Sequence, residues 1–540
     1  MTPASRTAIQ MGVALLLLLA PGCRCGERGK GRTSDNPPVV VVDPDEVNRP
    51  KPVDEVEPND DRKHAQELTE EHDVEGRLAD GKDEDWYRVV VRDEGQVLTA
   101  TLSGVSGGDL ALEALDPQGK RLVRVNNNRE GGGETLVNLA VSPGDCFLRV
   151  RPVKGRAGQG TYRLGLQVRA REEGEELEPN WKAELATSLA VDDEATGYLG
   201  WHTDTDWYRV ALGEVDRSGR LRVEFDGVDG VRAAVSLRSG DGAVLQERWG
   251  GPGDPVVLSN LAVPAGAEVF VVVRCRYEAN VESRYSLRVL AVSPAGPTES
   301  EPNDAPGQAT VLPADGRSTV AAQLPDSGDR DLYIVRTARS QVVRVEAVPP
   351  LGLDLALAVV DAKGKTLWQV DQGKAHQPEV LPALWVQPPG VTLLVRAPHR
   401  RETTAVASYH IKAQPLAGTD WEHEPNDTPT QAAAWGVEQP TVRGYVHPSG
   451  DVDYYLVNVA GGGLALHARP APELVLRLDL LLPQGGMVTS AASSAPGAEV
   501  RLENQGGGEY VLKVSQAKAD PNGSGDGSYT ITRARPTETP

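Results

Sequence analysis

Alternation of apolar and polar positions is the clearest pattern in this chain. Tyr87, Val89 and Val91 share one side of a period-two segment, and Tyr455, Val457 and Val459 repeat the arrangement far downstream. Successive side chains of a strand point to opposite faces, so these segments are predicted to be half-buried β-strands. Another set of alternating segments opens with tyrosine: Tyr162-Arg163-Leu164, Tyr285-Ser286-Leu287, Tyr409-His410-Ile411 and Tyr529-Thr530-Ile531. Residues 110–115 run into Asp116-Pro117-Gln118-Gly119, and residues 355–360 into Asp361-Ala362-Lys363-Gly364, each reading as strand, turn, strand. Neither a βαβ rhythm nor a long amphipathic helix interrupts the pattern.

The strands recur as a unit. Glu-Pro-Asn begins at Glu57, Glu178, Glu301 and Glu424, at intervals of 121, 123 and 123 residues. A glutamate precedes each by two positions: Glu55, Glu176, Glu299 and Glu422. Asn59, Asn180, Asn303 and Asn426 complete the motif, and Asp60, Asp304 and Asp427 follow it in three copies, with Trp181 in the second. Ala65, Ala186, Ala309 and Ala432 each lie eight residues after the motif glutamate. An Asp-x-Asp-x-Tyr block then stands at Asp83 and Asp85, Asp204 and Asp206, Asp329 and Asp331, and Asp451 and Asp453. A period this long marks a tandem array, and a unit of short strands and turns fits a two-sheet sandwich. The expected organisation is 1–22 export signal, 23–52 tether, and four all-β units at 53–170, 174–292, 297–414 and 420–536.

Composition refines this. The chain carries a formal charge of −21, which argues against a phosphate backbone as partner. Glycine (57) and proline (40) supply many turns. Met11 to Ala20 is an apolar run too short to span a bilayer, of signal-peptide form. It ends in Ala20-Pro21-Gly22-Cys23, which resembles a bacterial lipobox. That resemblance implies lipidation at Cys23 and a cell-envelope location, most simply the outer membrane, with plain secretion as the alternative. Residues 25–53, rich in Gly, Pro, Arg and Asp, are expected to be an extended tether. Cys146 and Cys275 form no metal-type pair and are expected to be buried free thiols.

The combined blocks, Glu-x-Glu-Pro-Asn-Asp, Asp-x-Asp-aromatic-Tyr and the closing Tyr strand, resemble the bacterial pre-peptidase C-terminal domain, whose relatives include the collagen-binding domains of clostridial collagenases. The resemblance covers nearly all of residues 53–536. It implies four tandem jelly-roll-like β-sandwiches, exported and usually accessory to an enzyme, with acidic blocks that bind calcium. No peptidase domain accompanies the units here.

Calcium takes six to eight oxygens. Candidate donors are Glu55, Glu57, Asn59, Asp60, Asp83 and Asp85; Glu176, Glu178, Asn180, Asp204 and Asp206; Glu299, Glu301, Asn303, Asp304, Asp329 and Asp331; and Glu422, Glu424, Asn426, Asp427, Asp451 and Asp453. Gathered carboxylates repel unless a cation neutralises them. The competing reading is that Asp and Asn serve as turn and cap residues. The second group is expected to be weakest, because Trp181 offers no oxygen.

Signals for catalysis are poor. Gly104-Val105-Ser106-Gly107-Gly108 matches GxSxG but precedes a strand, whereas a nucleophile elbow needs a strand before and a helix after. His423 reads as a surface residue, and Trp86 and Trp207 as packing residues. Three functions are open: a noncatalytic envelope protein binding extracellular protein or polysaccharide, a structural spacer without soluble ligand, and, least favoured, an unrecognised hydrolase.

Overall fold

The computed structural model describes residues 51–534, apart from 213–219, 264–265, 294, 325–327, 399–407, 460 and 518–526. The expected signal, Cys23 and nearly all of the tether lie outside the described residues. Within them the chain is all-β. Its helical structure amounts to three single 3-10 turns, at Ala183–Leu185, Pro306–Gln308 and Pro429–Gln431.

The alternation seen in the sequence is what buries the strands. In Val452–Val459, Tyr455, Val457 and Val459 are buried while Leu456 and Asn458 face out. The hairpin at Asp116 closes with Asp116 N–H donating to Lys120 O at 2.9 Å, and Gly119, at φ 82°, takes the left-handed position that a side chain would strain.

Among the described residues eight sheets result, two per repeat. In the second repeat one sheet runs Thr187–Ala190, Thr205–Ala211, Val269–Cys275, Arg232–Ser239, Val244–Pro252. The other runs Glu194–Leu199, Asn280–Val292, Arg220–Phe225, Val256–Leu261. The third and fourth repeats have the same order, and the first adds a short strand, Val53–Asp54, at one edge. Strands that follow one another in sequence mostly lie in opposite sheets, so each repeat closes around one core. Four main apolar clusters, one per repeat, fill these cores.

The repeats are not detached beads, because residues from Lys51 onward form one compact unit. Backbone bridges tie each motif glutamate to the repeat before it: Leu139 to Glu178, Leu261 to Glu301, and Leu384 to Glu424. Trp201 of the second repeat packs against the core of the first.

Several sequence expectations resolve here. Cys146 and Cys275 are buried free thiols, and burial pushes them up to about 11 and about 12. Trp86 packs with Leu115, Phe147 and Ala65 on the outer face of its sheet. Ala309 packs in the same manner beside Leu332, which gives the repeated alanine a structural reason. Trp207 lies edge-on to Phe270. Gly104–Gly108 is a turn leading into the strand Gly108–Leu115, so no strand-to-helix elbow forms. His423 departs from expectation: it is half-buried and stacked on Trp385 of the preceding repeat, 3.8 Å between ring centroids.

Candidate metal centres

The two acidic blocks of each repeat are far apart in sequence and meet through the backbone. The residue after the second aspartate donates its N–H to the carbonyl of the motif asparagine. The pairs are Trp86 to Asn59 at 2.9 Å, Trp207 to Asn180 at 3.0 Å, Leu332 to Asn303 at 3.1 Å and Tyr454 to Asn426 at 3.2 Å. The Glu-Pro peptide is cis in all four copies. The motif glutamate then folds back, with Oε2 accepting from the backbone N–H of the motif asparagine at 2.8 Å in the first repeat and 3.2 Å in the second.

The earlier glutamate is held across the sheet. Glu55, Glu176, Glu299 and Glu422 accept, through Oε1, the backbone N–H of Arg77, Tyr198, Gln323 and Tyr445 at 2.7–2.8 Å. Their Oε2 atoms face the closing tyrosine or its neighbour, as in Tyr285 to Glu176 at 3.0 Å.

Tyrosine organises the centre. The Tyr of each Asp-x-Asp-x-Tyr block bonds hydroxyl to hydroxyl with the closing Tyr: Tyr87 with Tyr162 at 2.6 Å, Tyr208 with Tyr285 at 2.7 Å, Tyr333 with Tyr409 at 2.6 Å and Tyr455 with Tyr529 at 2.5 Å. Each closing Tyr donates onward to Oδ2 of the second aspartate. Tyr285 reaches Asp206 at 2.7 Å, Tyr409 reaches Asp331 at 2.6 Å, Tyr529 reaches Asp453 at 2.7 Å, and Tyr162 makes the same bond to Asp85. The closing Tyr, which the sequence presents only as a strand opener, thus aims the aspartate.

Three carboxylates converge in every repeat: Glu57, Asp83 and Asp85; Glu176, Glu178 and Asp206; Glu299, Glu301 and Asp331; Glu422, Glu424 and Asp453. Within each group one oxygen from every member lies within 4.8 Å of the others. No lysine or arginine is paired with the glutamates or the second aspartate of any group among the described residues. No N–H or O–H donor reaches Asp85 Oδ1, Glu178 Oε1, Glu424 Oε1 or Asp453 Oδ1, although all four atoms are buried. The side chains of Asn59 and Asn426 are likewise buried without a partner. Asn180 and Asn303, with their amide nitrogens turned to face acceptors, donate to Asp206 Oδ1 at 3.0 Å and Asp331 Oδ1 at 3.2 Å.

Buried carboxylates that face one another need a shared proton or a cation. Burial, reinforced by neighbouring carboxylates, holds Glu178, Asp331 and Asp453 well above the usual carboxylate range. Burial pushes Asp85 up to about 8, Asp206 and Glu299 to about 7, Glu301 to about 9 and Glu424 to about 7. These buried acidic clusters could hold a metal ion.

The remaining candidates are placed differently. Asp204, Asp329 and Asp451 are buried beside the clusters, and Asp204 and Asp451 also act as turn caps. Asp204 Oδ2 accepts Gly200 N–H at 2.7 Å, and Asp451 Oδ2 accepts His447 N–H at 2.8 Å. Asp60, Asp304 and Asp427 are exposed at the rim, Asp60 lying against Asp83 and Asp427 against Asp451. Trp181, at their position, is 55% exposed. Losing that aspartate therefore leaves the second three-carboxylate group intact.

One further position escapes a reading based on acids alone. Gly76, Gly197 and Gly444 pair with the closing tyrosines, and a Cβ there would collide with the tyrosine hydroxyl and the glutamate carboxylate. The third repeat has Ala322 instead. The recurring glycine opposite a tyrosine strand was the available signal.

Comparison with known proteins does not name a family. No family model and no curated protein matches the chain. Among solved structures, the CUB1-EGF-CUB2 domain of human MASP-1/3 matches at 9% identity and TM-score 0.13, covering 38% of this chain and 93% of that one. A putative secreted protein from Eubacterium rectale matches at 11% identity and TM-score 0.15, covering 41% and 74%. Tripeptidyl peptidase 2 matches at 9% identity and TM-score 0.14, covering 87% and 32%.

Proposed function

We propose that this chain is a noncatalytic, calcium-binding lipoprotein of the cell envelope. Four tandem jelly-roll-like β-sandwiches, spanning residues 53–170, 174–292, 297–414 and 420–536, stand on a tether from a lipid at Cys23 and bind extracellular protein or polysaccharide. The observation that carries the calcium part is the convergence of three carboxylates in every repeat, fully buried in the second, third and fourth, with no lysine or arginine among the described residues paired to their glutamates. An all-oxygen donor set built from carboxylates and an amide suits a hard cation. Two glutamates and the second Asp would hold the ion in the later three repeats, and Glu57, Asp83 and Asp85 in the first, with the asparagine amide as a further oxygen donor where it is free to turn. The outer-membrane location rests on the lipobox-like Gly22-Cys23 alone.

Equilibrium dialysis of residues 23–540 against calcium and magnesium tests the metal. Saturable calcium binding whose capacity falls by one site on pairing Asp206→Asn with Glu178→Gln supports it, and no binding by the intact chain defeats it. Fatty-acid labelling that marks the wild type but not Cys23→Ser tests the anchor. A pull-down from envelope extract, with and without calcium, tests the ligand-binding reading. A second reading, a rigid spacer without soluble ligand, is favoured by the backbone bridges between successive repeats.

A further inference from the structure

Each bridge between repeats uses the residue that also lines a cluster. Glu178 donates its N–H to Asn138 O at 3.0 Å, and Ala140 N–H donates back to Glu178 O at 2.8 Å. Glu301 repeats the pair with Asn260 and Ala262 at 3.0 and 2.9 Å, and Glu424 with Ala383 and Trp385 at 3.2 and 3.0 Å. The receiving strands, Glu134–Val141, Val256–Leu261 and Glu379–Val386, are the outermost in their sheets. Their backbone edges would otherwise be open to other strands.

A register shift prepares each edge. Leu98 faces Leu139 but Ala100 faces Leu136; Leu221 faces Leu261 but Val223 faces Leu258; Val343 faces Leu384 but Val345 faces Leu381. A bulge of this kind redirects the strand. In the fourth repeat, Leu464–Pro470 pairs with Val500–Asn504 without any shift. The shift thus occurs in the three repeats that receive another and is absent from the one with no successor among the described residues.

The other end of the same glutamate lies in the acid group. Glu178 and Glu424 are each 1% exposed, and no donor reaches their Oε1 atoms. A cation would tie that carboxylate to the second aspartate of its own repeat and hold the backbone in place to meet the neighbouring edge. Without one, the group must either take up protons or separate, and separation withdraws the glutamate and with it both backbone bonds.

We infer that cation binding at the second, third and fourth clusters is coupled to docking of each repeat on the one before, each event strengthening the other. This rests on the calcium reading above. The first cluster stands outside the coupling, because Glu57 is exposed and bridges to no earlier strand among the described residues. The joint between the second and third repeats is partly cation-independent. Asn260 Nδ2 donates to Glu299 Oε1 at 3.0 Å, Gln246 Nε2 donates to Glu301 Oε2 at 3.2 Å, and Arg248 comes within 3.9 Å of Asp329. The second repeat itself thus supplies donors and positive charge to the third cluster.

The test is hydrogen exchange of residues 23–540 in calcium and in chelator, beside calcium binding measured on the same sample. Calcium should slow the Ala140 and Trp385 amides by about 5- to 150-fold, the usual span of coupling between sites. Ala262 should slow less, and the outer strand Val500–Asn504 should not change. Ala140→Pro removes the N–H given to Glu178 at a strand edge, where proline is tolerated. Reciprocity requires that it weaken calcium binding at one site by the same factor that calcium slows Ala140 exchange. Asn260→Gly keeps the left-handed backbone, φ 55°, and deletes the bond to Glu299. It should raise the calcium response of Ala262 toward that of the other joints. Calcium binding with unchanged joint amides overturns the coupling and leaves the metal assignment standing. No calcium binding at all overturns the metal assignment itself.

Discussion

The first acidic cluster and the three that follow come from the same motif but differ in make-up and surroundings: Glu57, Asp83 and Asp85 converge in the first, and two glutamates with the second aspartate in the others. Glu57 is exposed and Glu55 half-buried, whereas Glu176, Glu178, Glu299, Glu301, Glu422 and Glu424 are all buried. The difference is the neighbour. Each later motif lies against the outer strand of the preceding repeat, and none of the described residues covers the first in that way. The motif glutamate thus faces water in one copy and a low-dielectric pocket in three, while the second aspartate is buried in all four. Burial makes unpaired carboxylates costly and a compensating cation more strongly favoured.

The sharpest way to break this comparison is a pH series in chelator, since it sums over all the clusters. Buried acids such as Asp206, Glu299 and Glu424 are held at about 7 and Glu301 at about 9. Between the ordinary carboxylate range and those values the folded chain holds protons that the unfolded chain has lost. Rising pH therefore favours unfolding, and stability should fall from about pH 4.5 to about pH 9. The loss should be read as faster exchange in Thr205–Ala211, Asp331–Arg336 and Val452–Val459 than in Asp85–Val91, where Asp85, at about 8, is the raised acid of the cluster, with Glu55 and Asp60 raised beside it. Equal sensitivity in all four strands would show that the neighbour does not matter.

Saturating calcium should remove that slope. At a hundredfold excess over its dissociation constant, one site adds about 2.7 kcal/mol. Local exchange in the same four strands should show the first repeat gaining least. A larger gain there than in the second repeat would contradict the burial argument.

A smaller effect probes the tyrosine contact. Gly197→Ala forces a methyl against Glu176 and Tyr285. Overpacking of this kind costs about 1–3 kcal/mol, and thermal unfolding should register it. The smallest expected change is Ala322→Gly in the third repeat, where the methyl is already accommodated. Added backbone freedom alone predicts a loss of about 0.5–1 kcal/mol. A gain in stability there would show that the third repeat strains to hold its alanine.

Sequence by itself determined the strands, the repeat and the chemistry of the clusters. Alternation around Tyr87 and Tyr455 marked a buried face because strand geometry has period two. The spacing of Glu57, Glu178, Glu301 and Glu424 marked one unit copied four times. The glutamates and the second aspartates were nameable as cation ligands because their residue types recur at fixed offsets. Tertiary structure decided what no offset within one repeat contains. It brought the closing tyrosines, more than seventy residues from their partners, onto Asp85, Asp206, Asp331 and Asp453. It placed Asp60, Asp304 and Asp427 at the exposed rim, with Trp181 at their position in the second repeat. It also made Leu139-Ala140, Leu261-Ala262 and Leu384-Trp385 the seats of the next repeat. Burial and backbone pairing across repeats depend on which edge a chain segment reaches, and a linear pattern of side chains does not encode that distance.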